Sequence, residues 1–194
     1  PFDPCEPYNH MYEPETVPEP IPDMDKQIFD WAIPFQNSYK VNGFENVTPE
    51  QLHKIRAYYY GSITQMDTAV GRILDALDQY GLDKNTVIIF TSDHGEMLGD
   101  HRAFGKRSYY ESSCKIPLLL KLPGEPPADT HTDALAILPD IYATILDIAG
   151  VSRPDLCTGK SLLDIYKGRQ KSVHPSDERQ NQLSLFFFYF NPKP

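Results

Sequence analysis

Thr86-Val87-Ile88-Ile89-Phe90-Thr91-Ser92-Asp93-His94-Gly95-Glu96 is the stretch on which the fold turns. Its first six residues are almost wholly apolar and β-branched, a composition that suits a pleated, buried surface. A strand apolar on both faces belongs in the middle of a parallel sheet covered by helices. Polarity switches at Ser92, so Asp93 and His94 stand directly beyond the strand's carboxyl end, where open α/β sheets hold their chemistry. An Asp oxygen and an imidazole there can ligate a divalent cation, with Gly95 letting the backbone turn away closely. An ordinary capped loop can carry the same pair, so the dipeptide alone does not separate the two readings.

Working outward, a long helix precedes this strand. Thr48-Pro49-Glu50-Gln51 supplies an N-cap hydroxyl, a proline at the first helical position and Gln three residues after the cap. Leu52, Ile55, Tyr59, Ile63, Met66, Val70, Ile73, Leu74 and Leu77 recur at helical spacing, predicting one buried face over about thirty residues, and Gly81 is placed to stop it. On the other side, Ile116 to Leu122 reads as a second strand and Leu138 to Ala149, followed by Gly150, as another helix. The order helix, strand, long loop, strand, helix indicates an α/β layered fold.

Composition bounds the function. The chain has 194 residues, with 18 basic and 27 acidic side chains and a formal charge of -9. That length holds one domain and a real core, and a net negative protein is ill suited to nucleic acid. The longest apolar runs, Leu183 to Phe190 and Ile116 to Leu120, are too short to span a bilayer. Cys5, Cys114 and Cys157 are widely spaced and form neither a disulfide framework nor a zinc motif. Pro1 to Pro34 carries eight of the 18 prolines and eight acids against the single base Lys26. We therefore expect an irregular segment from 1 to about 47, with one short helix at Asp25 to Trp31. Arg102, Lys106, Arg107, Lys115 and Lys121 form a local cationic stretch with Glu111 as its one acid. Beside a candidate metal site it suits an anionic substrate group, and a solvated basic face explains it equally.

At this point the residues carry a resemblance. The segment from Thr91 through Asp93, His94, Gly95, Glu96, Met97, Leu98, Gly99, Asp100 and His101 to Gly105-Lys106, then Tyr110 to Leu118, resembles the carboxyl-terminal half of the sulfatase family. Tyr58 to Leu74, Leu138-Pro139-Asp140-Ile141 and Gly159-Lys160-Ser161-Leu162 are similar to its supporting segments. The resemblance implies an alkaline-phosphatase-like three-layer α/β/α sandwich, present in part, with the start of a small carboxyl-terminal antiparallel subdomain. It implies that Asp93 and His94 are two ligands of one divalent cation, usually calcium, and that Lys106, thirteen residues after Asp93, reaches the sulfate or leaving-group oxygen as a catalytic cation. His101 is a possible outer partner of the site or a structural histidine, and Glu96 a loop carboxylate. On this reading residues 1–47 are the acidic irregular segment, 48–168 the carboxyl-terminal half of the α/β core, and 169–194 a polar tail with one strand, Leu183 to Phe190, of the subdomain.

Departures from the family pattern matter as much. Sulfatases carry an upstream Asp-Asp pair and a C-x-P-S-R-like motif whose Cys or Ser becomes formylglycine; none of the three cysteines has that context. The nucleophile is therefore expected outside this chain, in an upstream half of the same protein, and the chain alone is expected to be inactive. Thr158-Gly159-Lys160-Ser161 resembles the end of a phosphate-binding loop, but Pro154 stands where that motif needs glycine and no strand precedes it. Asn46-Val47-Thr48 is a glycosylation sequon in which Thr48 is already explained as a helix cap. The sequence thus reads as part of a sulfuric ester hydrolase acting on a sulfated small molecule or carbohydrate, with no nucleic-acid partner and no membrane span. The rivals are a phosphonate or phosphate ester hydrolase of the same superfamily and a binding protein that keeps the fold without catalysis. The resemblance favours an extracytoplasmic setting, though no residue specifies the compartment.

Overall fold

The computed structural model describes residues 2–22, 46–106, 108–123 and 131–174, and the backbone of 183–184. The helix expected at Asp25 to Trp31 and the strand residues beyond Ser184 lie outside the described residues. Two compact units make up the chain: Pro1–Thr86 with Glu96–Ser108, and Val87–Gly95 with Tyr109–Pro194.

Helix α1, Pro49–Gln79, dominates the first unit. Its start follows the expected chemistry. The Thr48 hydroxyl accepts from the Gln51 amide at 3.2 Å, while Gln51 Oε1 accepts from the Thr48 amide at 2.9 Å, satisfying two groups that a first turn leaves open. At the other end Gly81 takes φ +65°, and the Leu82 amide returns to the Leu77 carbonyl at 2.8 Å. The proline-rich segment lies against the first half of α1. Phe2 meets Tyr59 edge-on at 4.9 Å, Tyr12 meets Tyr60 at 5.6 Å, and the Cys5 amide donates to Gln65 Oε1 at 3.1 Å. A side chain at residue 61 would place its Cβ 2.3 Å from the Tyr8 carbonyl oxygen, so Gly61 is what lets this segment approach.

The stripe along α1 is buried over less of its length than its periodicity predicts. Arg56, Ala57 and Gly61 are the buried positions, whereas Ile63, Met66 and Ile73 are 50%, 61% and 63% exposed. Periodicity states which face a helix can bury; burial needs a partner, and the described residues packed on α1 cover its first half.

In the second unit β1, Ile88–Thr91, pairs with β2, Leu118–Lys121, with Ile88 opposite Lys121 and Thr91 opposite Leu118. Pro117 lacks an N–H and marks why β2 begins at Leu118 and not at Ile116. The pairing is antiparallel, which corrects the expectation of parallel neighbours among the described residues. Apolar residues on both faces report coverage of the sheet, not the direction of the next strand, and mixed sheets satisfy the same pattern. β3, Leu135–Ala136, pairs antiparallel with β4, Leu183–Ser184. Between the sheets and the helices lies the core: Leu118, Leu120, Leu122, Ala134, Ala136, Leu162 and Ile165, with Val87, Ile89, Ile141 and Ile148 packed against it. β2 alternates, placing Leu118 and Leu120 inward.

Helices α2, Glu111–Cys114, α3, Leu138–Ile148, and α4, Leu163–Tyr166, complete this unit. Asp140 in the first turn of α3 is fully buried. Its carboxylate accepts from the Ile137 amide at 2.9 Å, the Lys160 amide at 2.7 Å and His174 Nε2 at 2.7 Å. Gly159 lets the 159–162 segment reach that carboxylate, because a Cβ there would lie 2.0 Å from the Pro139 oxygen. The Gly-Lys-Ser run is therefore a dock for the start of α3. No helix among the described residues is long and apolar enough to cross a membrane.

Candidate functional site

β1 delivers Asp93 and His94 to the turn immediately after it, as its sequence demands. The turn is fastened by backbone: the Gly95 amide donates to the Ser113 carbonyl at 2.8 Å, and the Ser92 hydroxyl to the His94 carbonyl at 2.8 Å. Only glycine fits at residue 95, where a Cβ would sit 2.1 Å from the Ser112 oxygen. Asp93 is 77% exposed at its side chain, and its Oδ2 lies 3.2 Å from His94 Nε2. The other ring nitrogen, Nδ1, is 2.8 Å from the Gly95 carbonyl. A carbonyl can only accept, so Nδ1 carries a proton and a neutral imidazole has its lone pair on Nε2, on the side of the carboxylate. A backbone acceptor on the outer nitrogen is the usual device that orients a metal-binding histidine.

The pair fits a divalent cation as part of a ligand set. A carboxylate oxygen and a ring nitrogen 3.2 Å apart can share one ion, and a protonated imidazole would satisfy the same contact. Among the described residues no group of three or more His, Cys, Asp or Glu side chains is placed to hold a metal. A hard cation prefers roughly six or more ligands, so this pair could supply only a minority of them.

Lys106 and His101 belong to the first unit, and Asp93 and His94 to the second. Lys106 is exposed and leaves a loop that starts at Glu96. Inside that loop the Met97 amide donates to the Gly105 carbonyl at 2.9 Å and the Gly99 amide to the Ala103 carbonyl at 2.7 Å. Glu96 Oε1 accepts from the amides of Leu98 at 3.3 Å and Gly105 at 2.5 Å. His101 takes a left-handed backbone, φ +52°, and its amide donates to the Ile21 carbonyl at 2.7 Å.

Sequence reasoning missed the support beneath this loop. Arg56, on α1, is buried, and its Nη1 donates to the Leu98 carbonyl at 2.8 Å and to Asp100 Oδ1 at 3.3 Å. Asp100 Oδ1 also accepts from the Ile21 amide at 2.9 Å. An arginine inside an amphipathic helix reads as a solvated side chain, and only the tertiary fold reveals that it is sunk against a loop 44 residues away. Cys114 is no activated nucleophile: burial pushes its thiol above the ordinary range, only partly offset by a hydrogen bond from Ser113. Cys5, Cys114 and Cys157 are all unbridged.

A model of the sulfatase family matches residues 9–151, a span that holds Asp93, His94, His101 and Lys106. The chain belongs to the sulfatase family. It is 40% identical over 149 residues to arylsulfatase K of Bos taurus, a match covering 74% of this chain and 27% of that protein. It is 36% identical over 179 residues to an arylsulfatase of Clostridium perfringens, covering 89% and 36%. Among solved structures, the phosphonate monoester hydrolase from Silicibacter pomeroyi superposes with a TM-score of 0.74 and 32% identity, over 90% of this chain and 36% of that one. The chain thus spans about a quarter to a third of the length of the relatives it matches. The likeness bears out the alkaline-phosphatase-like α/β fold expected from the sequence. Sulfatases generally use a divalent cation together with a formylglycine.

Proposed function

We propose that the protein containing this chain hydrolyses sulfate monoesters, and that Asp93, His94 and Lys106 act on the ester. The observation that carries the reading is the Asp93–His94 pair, 3.2 Å apart at the carboxyl end of β1, inside the span matched by the sulfatase model. Asp93 would hold a divalent cation through a carboxylate oxygen and His94 through Nε2, with the Gly95 carbonyl keeping the imidazole in that tautomer. Calcium is the ion proposed, completed by oxygen ligands from outside these 194 residues. When bound, the cation supplies charge that polarises the sulfate oxygens, and a formylglycine from outside the chain supplies the nucleophile.

Lys106 contributes what a positioned ammonium can. As the sulfur–oxygen bond to the leaving group breaks, negative charge develops on the leaving oxygen, and a cation beside it lowers the energy of that state more than that of the bound ester. Arg102 and Lys115, near Lys106 in the sequence, carry the sign that attracts an anionic ester. A sulfated small molecule or carbohydrate is the proposed substrate class.

A second reading has its own support. The phosphonate monoester hydrolase superposes over nine-tenths of the chain, and a phosphonate ester presents the same tetrahedral anionic centre. Turnover of aryl sulfate, phosphate and phosphonate esters by the full-length protein tests the two. Sulfate turnover above that of the other esters supports the first reading, phosphonate preference supports the second, and hydrolysis of none refutes both.

A further inference from the structure

We propose that Glu96 is a positioning residue for Lys106, holding the loop that presents the lysine through a hydrogen bond to the residue directly before it. The inference rests on the catalytic reading of Lys106 and adds a residue to it. Gly105 is tied through both of its backbone polar groups to the start of the loop: its amide donates to Glu96 Oε1 at 2.5 Å, and its carbonyl accepts from the Met97 amide at 2.9 Å. A backbone donor meeting a carboxylate makes a short, charge-assisted bond, roughly twice as strong as a neutral one. The same oxygen takes the Leu98 amide at 3.3 Å, so one side chain closes both ends of a loop of about ten residues.

The loop is costly to hold in its shape, which is why a clamp has work to do. Leu98, His101 and Arg102 all have positive φ, at +47°, +52° and +53°, a region that non-glycine residues enter at a cost of order 1 kcal/mol or more each. Gly99 and Gly105 take φ +92° and +81°, which glycine does without strain. Buried Asp100 and Arg56 fix the middle of the loop against α1 and Ile21, and Glu96 joins the Met97 amide in holding Gly105 at the end that carries Lys106. Glu96 also sits close enough to α1 for its negative charge to act on Tyr59, whose phenol is pushed up chiefly by burial and further by Glu96. A carboxylate so placed fixes the backbone of Gly105, and with it the origin of the Lys106 side chain, before substrate arrives.

Two measurements test this. In the 194-residue chain, the exchange rate of the Gly105 amide, resolved by NMR, should rise about tenfold or more in Glu96→Ala and stay within about threefold of wild type in Glu96→Gln, which keeps an acceptor oxygen. In the full-length protein, Glu96→Ala should lower kcat about tenfold or more with KM little changed. It should cost nothing further when added to Lys106→Ala, because it acts through the lysine. Protected Gly105 in Glu96→Ala overturns the clamp. Equal loss of protection throughout α1 marks Glu96 as a general fold residue and overturns positioning, as does a multiplicative effect in the double variant. If Lys106→Ala alone leaves kcat unchanged, the catalytic reading of Lys106 fails, while the Gly105 exchange rates still decide whether Glu96 holds the loop.

Discussion

Replacing Asp140 by alanine should destabilise the second unit severely, and the size follows from three hydrogen bonds. The carboxylate is fully buried and accepts from the Ile137 amide, the Lys160 amide and His174 Nε2, at 2.9, 2.7 and 2.7 Å. Alanine removes every acceptor and leaves the donors enclosed, each at about 1–3 kcal/mol, so even the low end sums to about 3 kcal/mol. For a chain of this length that corresponds to roughly 6–12 °C in Tm, at about 2–4 °C per kcal/mol. Asp140→Asn, whose amide keeps one oxygen, should cost less, because that oxygen can serve the Ile137 and His174 donors and strand only the Lys160 amide. Lys160→Ala is the control. Its ammonium bonds the Val173 carbonyl from an exposed position while its amide is retained, so the change should be within about 0.5 kcal/mol. Urea unfolding of the purified chain, with the m-value compared to exclude a change in compactness, measures all three. A loss below about 1 kcal/mol in Asp140→Ala would refute the view that this carboxylate pins the start of α3 to the 159–162 segment.

Three further outcomes are expected. Lys106→Ala in the full-length protein should cut aryl sulfate turnover by on the order of a hundredfold; a raised KM at unchanged kcat would make Lys106 an anchor for the bound ester instead. The 194-residue chain by itself should hydrolyse no fluorogenic aryl sulfate, since none of its cysteines has the formylglycine context and, on the proposed assignment, Asp93 and His94 would give a hard cation only two of the ligands it needs; turnover abolished by Asp93→Ala would show the active site to be complete here. Asp147 is held below the ordinary carboxylate range mainly by the Arg153 hydrogen bond. Its contribution is therefore present above the ordinary value and lost as pH falls through the lowered one. Because the pair is partly exposed, Asp147→Asn should cost under about 1 kcal/mol at neutral pH and nothing below that window, as urea midpoints across pH will read.

What was legible in the sequence was local chemistry. The cap at Thr48, the stop at Gly81, the strand ending at Thr91 and the tight turn at Gly95 each follow from residues within a few positions of one another. The sulfatase resemblance was legible for the same reason, since its longest block is one continuous loop from Asp93 to Lys106. What escaped was long-range. Arg56 under Leu98, and His174 on Asp140 from 34 residues away, are side chains whose partners no spacing rule connects. The direction of β2 escaped too, because coverage and strand direction leave the same apolar pattern. The stripe on α1 over-predicted burial past Gly61, as a helix displays the face it can bury whether or not a partner is present.

The metal content of Asp93→Ala tests the central claim most directly. The full-length wild-type protein and this variant should be purified alike, analysed for bound divalent cation by elemental analysis, and assayed in parallel on an aryl sulfate. We expect the wild type to retain a cation and turn over the ester, and the variant, deprived of its carboxylate ligand, to lose most of both. A variant that keeps wild-type metal content and turnover would contradict the assignment of Asp93 and His94 as cation ligands and remove the basis of the proposed active site.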